Sequence, residues 1–107
     1  MKLTELNQPL RGFDGQPIMV PQEKGEAVPF QLKVALLNCL GSKKPEDGQE
    51  AIAIVRLGTS LFDVDVEVGV GITELLLLKA AVEQNNPSYT GLIQGQLMIY
   101  LESVEQG

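Results

Sequence analysis

The stretch DVDVEVGVGITE, Asp63 to Glu74, decides how this chain is read, because it is either a cation-binding loop or a strand that runs into a helix. Counted from Asp63, Asp65 and Glu67 fall at the third and fifth positions of a calcium loop, and Glu74 at the twelfth, where a bidentate glutamate belongs. The same template needs glycine at its sixth position for the sharp turn. That residue is Val68, and Gly69 comes one place late. Val64, Val66, Val68 and Val70 alternate with the acids. Alternating β-branched residues describe a strand with one buried and one wet face, which spreads its acids along an axis instead of curling them round an ion. The pattern predicts a strand over 64–68 and no metal, with Asp63, Asp65, Glu67 and Glu74 as the alternative calcium ligands. Thr73 is then the expected N-cap of the next helix, Glu74 the acid in its first turn, and Ile72 a hydrophobic staple onto Leu77.

Working outward, TELLLLKAAVEQ carries four consecutive leucines, Leu75 to Leu78, which cover more than one helix face and call for several packing neighbours. Asn85, Asn86 and Pro87 are expected to end that helix. A last helix is predicted through GLIQGQLMIYLESV, with Ile93, Leu97, Tyr100, Leu101 and Val104 inward and Met98 in the core. Gly91 and Gly95, four residues apart, would let another backbone approach closely. Tyr89 is expected to lie half-buried against this helix.

Upstream, Leu32, Ala35, Leu36, Cys39 and Leu40 recur at helical spacing in PFQLKVALLNCLG, with Pro29 in the first turn and Gly41 just past the end. The acids of PEDGQE (Glu46, Asp47, Glu50) read as the solvated start of another helix. Its inward stripe is expected to be Ala51, Ile54, Val55, Gly58, Leu61 and Phe62. Lys43 and Lys44 read as a solvated loop pair. In RGFDGQPIMV, Asp14-Gly15 between apolar stretches predicts a type I′ hairpin over 9–20, restricted to an edge by Pro17 and Pro21. The fold expected is α+β and mainly α: a single domain, 1–107, with an N-terminal β-hairpin and a helical part from 30 to 107. That part holds about four helices and the one short valine-rich strand, which would extend the hairpin into a small sheet.

Composition narrows the function classes. With 107 residues and 44% hydrophobic side chains the chain can bury a core, and with three Phe, two Tyr and no Trp that core must be aliphatic. The single Cys39 excludes an internal disulfide and reads as a buried free thiol. Without histidine or a second cysteine, the usual zinc ligand sets and Ser–His or Cys–His pairs are excluded within one chain. The net charge of −6 is uneven: residues 1–50 carry six basic and seven acidic side chains, residues 51–107 two and seven. A nucleic-acid ligand needs a basic face, so none is expected. No apolar run reaches the length of a membrane helix or of a signal peptide, so the expected location is cytoplasmic and no membrane partner is expected.

In this order, LRGFDGQPI, LKVALLNCL, VDVEV, TELLLLKAAVEQ and GLIQGQLMIYLE, the chain resembles a group of small, mostly uncharacterised proteins encoded by tailed phages and prophages. It departs from that group where a glutamate is expected at the third helical position after Thr73 and Leu76 stands instead. The resemblance implies a phage setting in a bacterial host and no catalytic residues. The expected function is therefore non-enzymatic, without cofactor: virion morphogenesis or host takeover through a protein partner or a second copy. The acid-rich second half, an exposed hairpin edge and the leucine excess motivate it, although no interaction residues are singled out. The alternatives are a calcium-dependent regulatory domain and an acidic mimic of nucleic acid presenting Asp63, Asp65 and Glu67.

Overall fold

The computed structural model describes residues 1–84 and 89–107. Among them are four helices, α1 (Leu32–Ser42), α2 (Gly48–Asp63), α3 (Ile72–Gln84) and α4 (Gly91–Gln106), and four two-residue strands, β1 (Lys2–Leu3), β2 (Met19–Val20), β3 (Val28–Pro29) and β4 (Val68–Gly69). The class is α+β and mainly α. The expected helix stop at Asn85, Asn86 and Pro87 lies outside the described residues.

α1 is the centre of the bundle and packs on α2, α3 and α4. Its periodic residues Leu32, Ala35, Leu36, Cys39 and Leu40 are all buried, as their spacing predicts. Leu75, Leu78, Ala81 and Val82 of α3 and Leu97 and Leu101 of α4 complete one aliphatic core with Leu57 and Leu61 of α2. Pro29 lies in β3 and Gly41 inside α1, so neither marks a helix boundary. Among the described residues, no atom beyond the local backbone lies within 4 Å of a Cβ built on Gly91 or Gly95, so none of them approaches this pair closely.

The N-terminal residues form a strap that terminates other elements. β1 pairs antiparallel with β4, Lys2 opposite Gly69 and Leu3 opposite Val68, and the Leu6 amide donates to Val66 O at 2.8 Å. The first amides of a helix have no partner within it. In α1 the Gln31 cap offers no side chain, and the amides of Leu32 and Lys33 donate instead to Gln8 O and Leu6 O, both at 2.9 Å. Leu3, Leu6 and Leu10 are buried beneath this strap. The Tyr100 hydroxyl donates to Thr4 O at 2.7 Å, and the Gln96 side-chain amide both donates to Arg11 O (2.7 Å) and accepts from Arg11 N (2.9 Å). Glu5 sits in the turn of this strap with φ of +52°.

The hairpin exists, with a different turn. Gly15 N donates to Gly12 O and Gly12 N to Gln16 O, which encloses three loop residues, Phe13 to Gly15. Only Gly15, at φ +80°, has positive φ there. That is the three-residue loop with a bulge at a left-handed glycine, not a type I′ turn, which would need Asp14 left-handed as well. The hairpin also has no free edge at its base. Ile18 N donates to Leu10 O, Phe30 N to Ile18 O and Leu10 N to Phe30 O, each at 2.8 Å, so three segments close a ring of hydrogen bonds. β2 continues one side of it by pairing with β3. The valine-rich segment does not extend this hairpin, since its strand is confined to Val68–Gly69 and pairs with β1.

Candidate interaction surface

The four acids of the alternative calcium loop are dispersed. Asp63 is the last residue of α2, Asp65 lies in the bend after it, and Glu67 lies 3.9 Å from Lys2 across an exposed ion pair. Glu74 is committed to a helix cap: its Oε1 accepts from Gly71 N at 2.9 Å. α3 begins at Ile72, so the N-cap is Gly71 and not Thr73, and Glu74 stands at the third helical position, the reach-back half of a capping box. Val70 and Leu75, one residue before the cap and four after it, are both buried and take the staple positions, while Ile72 is exposed. Leu76 therefore removes nothing from the cap. Among the described residues no three His, Cys, Asp or Glu side chains are grouped to hold a metal.

The start of α2 hides a buried charge. Asp47 is its N-cap and accepts from Glu50 N at 2.8 Å. Glu50 in turn takes the ammonium of Lys43, whose side chain is only 2% exposed. Lys43 is thus a buried ion-pair partner, and only Lys44 remains at the surface. This pair lines a shallow pocket of about 420 Å³ between α2 and α3, walled by Ala53, Leu76, Leu77 and Ala80. Cys39 is buried in the core, and desolvation pushes its thiol up to about 11. Burial likewise raises Tyr100, to about 12, and raises Tyr89. Tyr89 packs on Phe30 (centroids 5.7 Å apart) and its hydroxyl accepts from Asn38 Nδ2 at 2.8 Å. Tyr89 is half-buried, as its position predicts, with Phe30 and Asn38 of α1 among its partners.

The largest departure from the sequence pattern is on α2. Leu57 and Leu61 are buried and Ile54 half-buried, but Val55 is 67% and Phe62 71% exposed. The helix carries apolar residues over more than half its circumference. Packing on α1 and α3 takes one arc and leaves Ile52, Val55 and Phe62 outside. Between α1 and α2 this excess opens into an apolar groove of about 520 Å³, lined by Leu37, Leu40, Ile54, Val55, Gly58 and Phe62 among others.

The groove's aromatic wall is held in place. Lys33 of α1 donates from Nζ to Phe62 O (2.9 Å) and Val64 O (2.5 Å), and its ammonium lies 5.7 Å from the Phe62 ring centroid. α2 has no basic residue in its own last turn. Lys33 therefore supplies the positive charge that its terminal carbonyls favour, and adds a cation–π contact to the exposed ring.

No family model matches the chain, and no curated protein or solved structure matches it either. Among the described residues, no helix is long and apolar enough to cross a membrane.

Proposed function

We propose that this protein is a non-enzymatic interaction protein that binds through the α1–α2 face. The observation that carries this reading is Phe62: an aromatic ring 71% exposed, beside an apolar groove, and held by a lysine from the neighbouring helix. Binding energy at protein interfaces concentrates in such aromatic anchors, and an anchor already fixed in place loses less freedom when bound. Isolated apolar side chains on a surface are ordinary; a groove edged by two of them on one helix, Val55 and Phe62, is what partners cover.

The setting follows from the sequence resemblance: a phage-type accessory factor acting in a bacterial cell, in virion assembly or on a host protein. The calcium reading has no convergent donors among the described residues to support it.

The test is site-specific photo-cross-linking in bacterial cells. Benzoylphenylalanine replaces Val55 in one variant and Phe13 in another, since Phe13 is 95% exposed at the hairpin tip, away from the groove. A discrete protein adduct from position 55 and none from position 13 is the expected result. Adducts from position 13 alone would overturn the assignment of the face.

A further inference from the structure

The outward face of α2 has a pattern that names its own partner. Ile52, Val55, Thr59 and Phe62 recur at spacings of three, four and three, the seam along which two helices pack. All four are exposed. Arg56 and Asp63 flank this seam seven residues apart, about two helical turns, and so lie on the same side of it. Both are exposed, and neither has an ion-pair partner among the described residues.

Ion pairs among the described residues are few: Lys2–Glu67, Lys43–Glu50 and Lys79–Glu105. Residues 51–107 hold two basic side chains against seven acidic ones. The other, Lys79, is paired with Glu105 at 3.3 Å. The one remaining cation of the acidic half thus stands beside an apolar seam, two turns before an unpaired acid on the same flank.

We infer that the α2 face binds a second copy of this chain, as an antiparallel pair about a two-fold axis that passes near Thr59. In a two-fold contact the same patch meets itself, so each residue must suit the residue it is rotated onto. An antiparallel α2 pair with its axis at Thr59 sets Arg56 against Asp63 of the second copy, and Asp63 against its Arg56. It also brings Val55 of each copy toward Phe62 of the other. A parallel pair would put the Arg56–Asp63 flanks of the two copies on opposite sides of the seam and leave both charges without a partner, so only the antiparallel pair joins Arg56 to Asp63. The net charge of −6 resists association in general; this seam avoids that repulsion because its two charges are opposite and cancel across the axis. The contact spans little more than two turns, so the dimer belongs to the small, reversible class of interfaces.

This inference rests on the reading of the α1–α2 face as a binding surface, and the experiment separates the two. Sedimentation velocity is run from roughly 1 µM to 1 mM, a range that covers weak to moderate association, with circular dichroism confirming each variant's helix content. Wild type is expected to move from one-chain to two-chain mass as concentration rises. Arg56→Asp and Asp63→Arg each place like charges opposite and are expected to remain monomers. An equimolar mixture of those two variants restores both pairs and is expected to give a heterodimer, and the double variant R56D/D63R to give a homodimer. A wild type that stays monomeric overturns the inference, while an adduct at position 55 would still support a different partner on this face. A dimer that persists in both single reversals also overturns it. If position 55 then yields no adduct either, the reading of the face fails too.

Discussion

Lys33 donates from its ammonium to the backbone carbonyl of Phe62 at 2.9 Å, and the same ammonium lies 5.7 Å from the ring of that phenylalanine. One side chain on α1 thus closes the C-terminus of α2 and steadies the exposed ring beside the groove. Structure and proposed function meet at this residue. Replacing Lys33 with methionine keeps most of the aliphatic stem and removes the charge. It is expected to cost about 1–2 kcal/mol, from lost charge-assisted hydrogen bonds at a helix end. Thermal melting reads this as a fall of roughly 4–8 °C per kcal/mol for a small domain. Association through the α2 face is expected to weaken in the same variant, beyond the effect of an equally destabilising substitution elsewhere.

The Lys43–Glu50 pair makes an asymmetric prediction. Glu50 keeps some solvent access, whereas the Lys43 side chain has almost none. Glu50→Leu leaves a buried ammonium unpaired and is expected to destabilise by about 3 kcal/mol or more. Lys43→Met leaves a carboxylate that water can reach, and a loss of about 1–2 kcal/mol is expected. The double variant should recover part of the Glu50→Leu loss. Equal effects of the two single changes in urea titrations would contradict this placement.

The cap of α3 separates two neighbouring residues. Glu74→Ala removes the acceptor for Gly71 N and is expected to cost about 0.5–1 kcal/mol. Thr73→Ala, at the position where sequence pattern alone puts the cap, should be near neutral. A chemical-denaturation comparison of the two decides between them.

Glu5 holds a left-handed backbone, φ +52°, a conformation that costs a residue with a Cβ roughly 1–2 kcal/mol. Glu5→Gly is expected to raise stability by about 0.5 kcal/mol once the added freedom of the unfolded chain is subtracted. Glu5→Val should lower it. A melting series over the three residues at this position tests the order.

Cys39 gives one part of the alkaline pH dependence, alongside Tyr100 and Tyr89, which burial raises in the same direction. Its thiol titrates near 9.0 when free and at about 11 in the fold, through burial. The folded state therefore holds its proton longer than the unfolded state. Stability from this group is fully present below pH 9 and is lost as pH rises toward about 11. Alkylation of Cys39 at neutral pH should follow global unfolding; rapid modification of the folded protein would contradict its burial.

How far the sequence carried depended on whether a residue's environment is local. The face of α1 is legible, because Leu32, Ala35, Leu36, Cys39 and Leu40 form the longer stripe and only Val34 and Leu37 are apolar outside it. On α2 two apolar arcs overlap, and periodicity cannot say which one the bundle takes; Ile54, Leu57 and Leu61 go inward, and Val55 and Phe62 do not. The N-terminal strap leaves no period to read, since it is held by backbone bonds such as Lys33 N to Leu6 O. Asp14-Gly15 marks the hairpin correctly, but where the loop closes depends on Gly12 and Gln16. Lys43 reads as a loop charge because its partner sits seven residues on, across the turn into α2. The groove is missed for the same reason as the α2 face. It exists only after packing has chosen an arc.

The most direct test of the central claim is hydroxyl-radical footprinting of the chain under dilute and associating conditions. Phe13 and Ile99, both well exposed and away from the groove, serve as internal references. Protection of Phe62 and Val55 on association, with Phe13 and Ile99 still reactive, is the result predicted. Association that protects Phe13 or Ile99 and leaves Phe62 reactive would contradict it.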